Sequence, residues 1–226
     1  MPVALAPPAP CAPALLTKAE APRLYTWIAP VHDLLAALVA SRARRRALAV
    51  ARVQSGEAIL EVGVGTGLSF RELLRLNPDG RLAGVDLTPA MLRRARRRAA
   101  RTAHRCCDLR LGDAYALDFP DAAFDLVLSG YLIDLLPRRD FTPVLREFRR
   151  VLRPGGRLVS FHMTTGRNRR QRLWELLYRI HPVFLGGCRS IRLASYVEEA
   201  GFEEVRRSFV SQCGFPSEIV SGRKAR

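Results

Sequence analysis

The chain has 226 residues, 48% hydrophobic and 26% charged, with 37 basic against 21 acidic side chains and a formal net charge of +16. That length and apolar share suit one domain with a buried core and exclude a disordered chain. No apolar run reaches the roughly 18 to 20 residues that a spanning helix needs. All basic residues except Lys18 and Lys224 are arginine. Such an excess fits an anionic partner, either nucleic acid or a membrane surface, and it also fits a bias of composition alone.

The five cysteines are Cys11, Cys106, Cys107, Cys188 and Cys213. Their number is odd, no C-x-x-C occurs, and the adjacent Cys106-Cys107 pair suits neither an ordinary disulfide nor zinc. A reducing compartment is expected, and no metal site. Met1 to Pro13 is rich in alanine and proline and lacks a basic start, so it reads as a loose tail rather than a signal peptide.

From Ala58 onward, short apolar runs alternate with helical stretches. Ala58 to Val64 reads as a buried strand, and Gly65 to Leu76 as a turn leading into a helix. Arg81 to Leu87 is a second strand. Thr88-Pro89 then supplies an N-cap and a proline at the first helical position, opening a helix towards Arg105. Leu109 to Leu111 is a third strand and Ala123 to Leu132 a fourth. Thr142-Pro143 caps the next helix, where Phe141, Val144, Leu145, Phe148, Val151 and Leu152 share one face. Pro154-Gly155-Gly156 stops it before a fifth strand, Arg157 to Met163. Leu193 to Ala200 reads as a helix, and Glu203 to Val210 and Glu218 to Lys224 as two closing strands. Strands separated by helices of this length imply right-handed crossovers and a parallel sheet covered on both faces. The fold class is α/β, with a helical N-terminal extension before residue 58.

The candidate chemistry lies at Glu61-Val62-Gly63-Val64-Gly65-Thr66-Gly67, where the first strand ends. Open α/β sheets bind ligands at their carboxyl edge, and glycines let a backbone approach a ligand closely. Leu68 stands where a dinucleotide fingerprint would need glycine. The spacing is G-x-G-x-G preceded by an acid, which disfavours NAD or FAD. Asp86 ends the second strand, where a carboxylate can accept the ribose hydroxyls of an adenosine, and Asp113 follows the third. Taken singly, such acids are ordinary caps or solvated loop residues; together at strand ends they point to a nucleoside.

The motifs ILEVGVGTG, GVDLTPAML, GDAYALDFPDAAFDLVLS and VLRPGGRLV, in that order, resemble the class I S-adenosylmethionine-dependent methyltransferases, from about Tyr25 to Lys224. The resemblance implies a Rossmann-like, seven-stranded, mostly parallel sheet whose last strand is antiparallel, with S-adenosyl-L-methionine across its carboxyl ends. By position, Glu61 would face the amino group of the methionine moiety and Gly63, Gly65 and Gly67 would pack under the cofactor. Asp86 would hold the ribose, Leu87 and Met91 would flank the adenine, and Asp113 with Ala114 would bind its edge. Ser129 would lie beneath the methyl-donating end. The implied organisation is a tail at 1–22, a helical cover at 23–57 and a catalytic domain at 58–226, with 164–190 covering the acceptor side.

Methyl transfer from a sulfonium needs alignment and exclusion of water more than acid or base machinery. Candidate groups near the methyl are Tyr25 and His32 from the cover, Tyr131 and Asp134 after the fourth strand, and His162 ending the fifth. Tyr25, His162 and Tyr131 are the expected catalytic residues, and Tyr25 also closes over the cofactor. Tyr25 to Leu35 resembles the cofactor-covering segment of lipid and quinone methyltransferases. The ubiquinone/menaquinone C-methyltransferases carry an Arg-Asn pair after the fourth strand, where this chain reads Ser129-Gly130-Tyr131-Leu132-Ile133-Asp134. The bacterial phosphatidylethanolamine N-methyltransferases are similar in that cover and in the apolar stretch ending at Leu135-Leu136-Pro137, so the resemblance implies a lipophilic, membrane-associated acceptor, with phosphatidylethanolamine N-methylation in the lead. Quinone C-methylation and methylation of a soluble metabolite are the alternatives. The basic amphipathic stretches Leu34 to Arg46 and Arg167 to Ile180 suit an anionic membrane surface, or else simply cover the site with a solvated outer face. A cytoplasmic protein, peripheral on that membrane, is the expectation. Nucleic acid is disfavoured, because no Asn-Pro-Pro-Tyr motif or added RNA-binding module is present.

Overall fold

The computed structural model describes residues 36–102, 107–169 and 187–226, together with Asp33, Gln171, Leu173, Trp174 and Leu176. Among these, helix α1 (Ser41–Ala51) precedes β1 (Ala58–Val62), α2 (Leu68–Leu76), β2 (Arg81–Asp86), α3 (Pro89–Ala99) and β3 (Cys107–Leu111). Then follow β4 (Phe124–Gly130), two 3-10 turns (Ile133–Leu135 and Arg138–Asp140), α4 (Phe141–Val151) and β5 (Leu152–Met163). The chain closes with α5 (Ala194–Glu199), β6 (Phe202–Gln212) and β7 (Phe215–Lys224). The expected tail at 1–22 and the start of the cover lie outside the described residues.

The seven strands form one sheet in the order β3-β2-β1-β4-β5-β7-β6. Neighbours are parallel from β3 to β5, while β7 runs antiparallel to both β5 and β6. This is the Rossmann-like class I arrangement. All five residues of β1 are buried, as a central strand covered on both faces must be. Its side chains alternate between two cores. Leu60 and Val62 pack with α4 (Val144, Leu145, Phe148) and Val197 of α5. Ile59 packs on the other face with Ala47 of α1, Phe70 and Leu73 of α2, and Ala95 of α3.

Three boundaries differ from the sequence pattern. The fourth helix begins at Phe141, so Pro143 sits inside its first turn, where a missing N–H costs nothing. Helix α3 ends at Ala99, short of Arg105. Pro154-Gly155-Gly156 does not separate helix from strand: β5 starts at Leu152, pairs with Phe124, and is out of register before Arg157 pairs with Leu126. A bulge absorbs the extra residues.

Side-chain clasps fix α1 on the sheet. Arg157 of β5 donates to Ala51 O at 2.6 Å and grips both carboxylate oxygens of Glu57 at 2.8 and 2.7 Å. At the other end Gln212 of β6 accepts from Arg42 N at 2.7 Å and donates to Leu38 O at 2.7 Å. No helix of the described residues is long and apolar enough to cross a membrane.

Candidate functional site

The carboxyl ends of β1, β2, β3 and β4 are level: Val62 pairs with Val85 and with Ser129, and Asp86 pairs with Leu111. The loop leaving β1 is tied to β2 by Gly63 N and Val64 N, which donate to Val85 O at 2.9 and 3.1 Å. Gly63, Gly65 and Gly67 all have positive φ, at 77°, 56° and 83°. Two of them do different work. A Cβ on Gly67 would lie 2.9 Å from Ala95 Cα, so glycine is required for α3 to approach the loop. A Cβ on Gly65 would meet nothing within 4 Å; its bare face looks into open space.

Asp86 organises this crevice. Its Oδ2 accepts from Gly65 N at 2.7 Å and its Oδ1 from Thr88 N at 2.8 Å, so one carboxylate joins the glycine loop to the start of α3. A carboxylate oxygen can accept more than one hydrogen bond. Glu61, one strand away, is 3% exposed and its Oε2 has no hydrogen-bond partner. Burial raises its carboxyl well above the usual range, Asp86 raises it further, and Arg44 and a hydrogen bond from Ser69 oppose. At β4, Ser129 is 1% exposed with an unpartnered Oγ. Asp113 Oδ1 accepts from Tyr115 N at 3.2 Å, beside buried Ala114. Leu87 is exposed whereas Met91 is buried.

The cofactor implied by these motifs fits this arrangement. An adenosyl group with an attached amino acid needs acceptors for hydroxyls and an ammonium, and a backbone it can approach. Asp86, the orphaned oxygens of Glu61 and Ser129, and the bare face of Gly65 offer these.

Beyond Ser129 the structure gathers polar groups in the interior. Tyr131 has φ 51°, packs edge-on against Phe161 at 5.2 Å and bonds Ser217 Oγ through its hydroxyl at 2.8 Å. Burial pushes its phenol far above its ordinary value, so a phenolate is not populated near neutral pH. His162 is fully buried, with Nε2 3.5 Å from Glu218 Oε2 and no hydrogen bond to either ring nitrogen. Burial would raise the Glu218 carboxyl, but His162 and Arg207 outweigh it and leave it lowered. Asp134 is fully buried, accepts from Met163 N at 3.0 Å through Oδ2, and has an unpartnered Oδ1. Burial pushes its carboxyl up to about 6 against the pull of Met163 N, His162 and Arg189. The structure thus brings Tyr131, Asp134 and His162 to one end of the sheet. Tyr25 and His32 lie outside the described residues.

Two residues here escaped sequence reasoning. Arg189, 2% exposed, donates to the carbonyls of Asp134 (3.2 Å) and Leu136 and lies 5.6 Å from the Phe141 ring. It holds the 3-10 turn that carries Asp134, and no local pattern marks it. Arg44 falls within the basic amphipathic stretch Leu34 to Arg46. Burial lowers its guanidinium against the pull of the Glu72 carboxylate; the like charge of Arg71 lowers it further and Glu61 opposes. It lies four residues after buried Ala40 and three and four before buried Ala47 and Leu48, which places it on the inner face of α1.

Comparison with known proteins agrees with this geometry. Residues 59–156 match the family described as Methyltransferase domain. A demethylmenaquinone methyltransferase from Thermus thermophilus is 33% identical over 208 residues, covering 85% of this chain and 91% of that one. Another, from Listeria monocytogenes, is 31% identical over 142 residues, and there the match spans 61% of this chain and 59% of the relative. Among solved structures, the [4+2]-cyclase SpnF superposes with a TM-score of 0.72 at 20% identity, covering 94% of this chain and 98% of that one. The chain belongs to the class I S-adenosylmethionine-dependent methyltransferases, and S-adenosyl-L-methionine is its cofactor.

Proposed function

We propose that this methyltransferase acts on a demethylated quinone, placing the methyl group on a ring carbon. The observation that carries the reading is the 33% identity to a demethylmenaquinone methyltransferase across 91% of its length. That relationship supports the quinone over phosphatidylethanolamine, the acceptor first expected from the sequence. Bound in the crevice, S-adenosyl-L-methionine supplies an electrophilic methyl group. Asp86 accepts the ribose hydroxyls, Glu61 faces the ammonium, and Asp113 with Ala114 meets the adenine edge between Leu87 and Met91. Gly63, Gly65 and Gly67 pack beneath, and Ser129 lies under the donor end.

Methylation at a ring carbon displaces a proton, and aromatic carbon acceptors gain from a base. Asp134 suits the holding of that proton near neutral pH, because its carboxyl is pushed to about 6 and its Oδ1 is unpartnered. Tyr131, held as a neutral phenol, shapes the wall. A lipophilic acceptor enters from a membrane surface. Leu38, Leu173 and Leu176 are exposed, and α1 shows Arg42, Arg45 and Arg46 to solvent. Such leucine and arginine groups suit an anionic interface.

The test is incubation of the full chain with methyl-labelled cofactor and either demethylmenaquinone in detergent micelles or phosphatidylethanolamine vesicles. Label in the quinone is the expected result. Label in the phospholipid alone would sink the proposal.

A further inference from the structure

Helix α2, the end of α3 and the residues just after it line an open cavity of about 550 Å³, formed by Arg71, Arg75, Arg98, Arg101 and Thr102. That volume falls within the range of about 300 to 1,000 Å³ typical of small-ligand pockets. None of the lining residues is acidic. Carboxylates touch the lining arginines only from its margin: Glu72 contacts Arg71 at 3.0 Å and Arg75 at 3.6 Å, and Asp33 contacts Arg98 at 2.7 Å. Among the described residues, four guanidiniums thus share two carboxylates. Arg71 Nε is buried with no acceptor. Like charges held around one space repel each other. An anion in the cavity offsets that repulsion.

We propose that this cavity binds a phosphate-bearing anion, either a soluble diphosphate or the phosphate of a lipid headgroup, through guanidinium forks. Arginine suits this chemistry because its planar fork matches two phosphate oxygens at once. S-adenosyl-L-methionine carries no phosphate, so the ligand is a second one. The cavity touches the cofactor loop from outside: Arg98 donates to Thr66 O at 2.5 Å, and Thr66 Oγ1 donates to Asp33 at 2.5 Å. The other α3 arginines divide from this set, and half-buried Arg94 is not among the lining residues. Arg93, Arg96 and Arg97 are exposed and do not line the cavity.

Titration calorimetry of the full chain with inorganic pyrophosphate tests the site, with co-sedimentation on phosphatidylcholine vesicles containing phosphatidic acid as the second arm. Wild type binds at least one probe. The Arg75→Ala/Arg101→Ala variant weakens that binding about tenfold or more, since it removes two charge-assisted contacts. Arg93→Ala/Arg97→Ala, with the same loss of net charge, leaves it within about twofold. Arg75→Lys/Arg101→Lys restores part of it, which misfolding could not do. Loss confined to pyrophosphate marks a soluble anion; loss on the vesicles marks a lipid headgroup. Absence of binding to both probes by wild type, or equal weakening by the two alanine pairs, overturns the proposal.

Discussion

Asp134 shows how far burial can move one side chain. Its carboxyl is pushed from 3.8 to about 6, mainly by burial. Below about pH 4 it is protonated in both the folded and the unfolded chain. Above about pH 6 the native state must hold a buried carboxylate, so stability falls as pH rises through that window, by on the order of 3 kcal/mol. Asp134→Asn should therefore unfold at a higher temperature than wild type at pH 7.5, with the difference vanishing near pH 4. Thermal melts across that range check it. The proposed proton-holding role adds a second readout: the same variant should lose the acid limb of the methylation rate near pH 6. Asp86 is the contrasting acid, held by two backbone N–H groups at 2.7 and 2.8 Å. Asp86→Ala removes two charge-assisted bonds and the proposed ribose acceptor. Adenosylhomocysteine affinity should fall about 100-fold or more by calorimetry; unchanged affinity would remove Asp86 from the site.

At the scale of the element, the turn from β1 into α2 separates packing from binding. Gly67→Ala places a Cβ 2.9 Å from Ala95 Cα at a φ of 83°. It should cost on the order of 2 kcal/mol, or about 4–8 °C in Tm. Gly65→Ala meets no atom within 4 Å, so its larger effect should fall on adenosylhomocysteine affinity. Equal melting temperatures for the two variants would contradict the distinction. The glycine loop and Asp86 were legible in the sequence because turn and strand-end chemistry is local. The start of β5 was not. Pro154-Gly155-Gly156 carries the local signal of a stop, yet Leu152 pairs with Phe124 across the sheet, and a bulge accommodates the proline. Non-local pairing overrode local propensity. The Asp134–His162–Glu218 group was legible only in pieces, since His162 and Glu218 meet through strand register.

For the whole molecule, a charge of +16 says little until the fold distributes it. Arg157 and Arg189 are used as clasps, Arg44 is partly buried against the sheet, and Arg71, Arg75, Arg98 and Arg101 converge on one cavity. The likeness to a [4+2]-cyclase at 20% identity shows how little a shared fold fixes chemistry. The amino-acid sequence by itself determined the α/β class and a nucleoside-binding crevice, because strand periodicity, turn glycines and strand-end acids act within a few residues of one another. The cofactor's identity came from the resemblance of those motifs to the class I methyltransferases. Only the tertiary structure decided which arginines face solvent and which are buried. It also decided where the unpartnered oxygens of Glu61, Ser129 and Asp134 lie, because burial and close approach come from strands and helices distant in the chain.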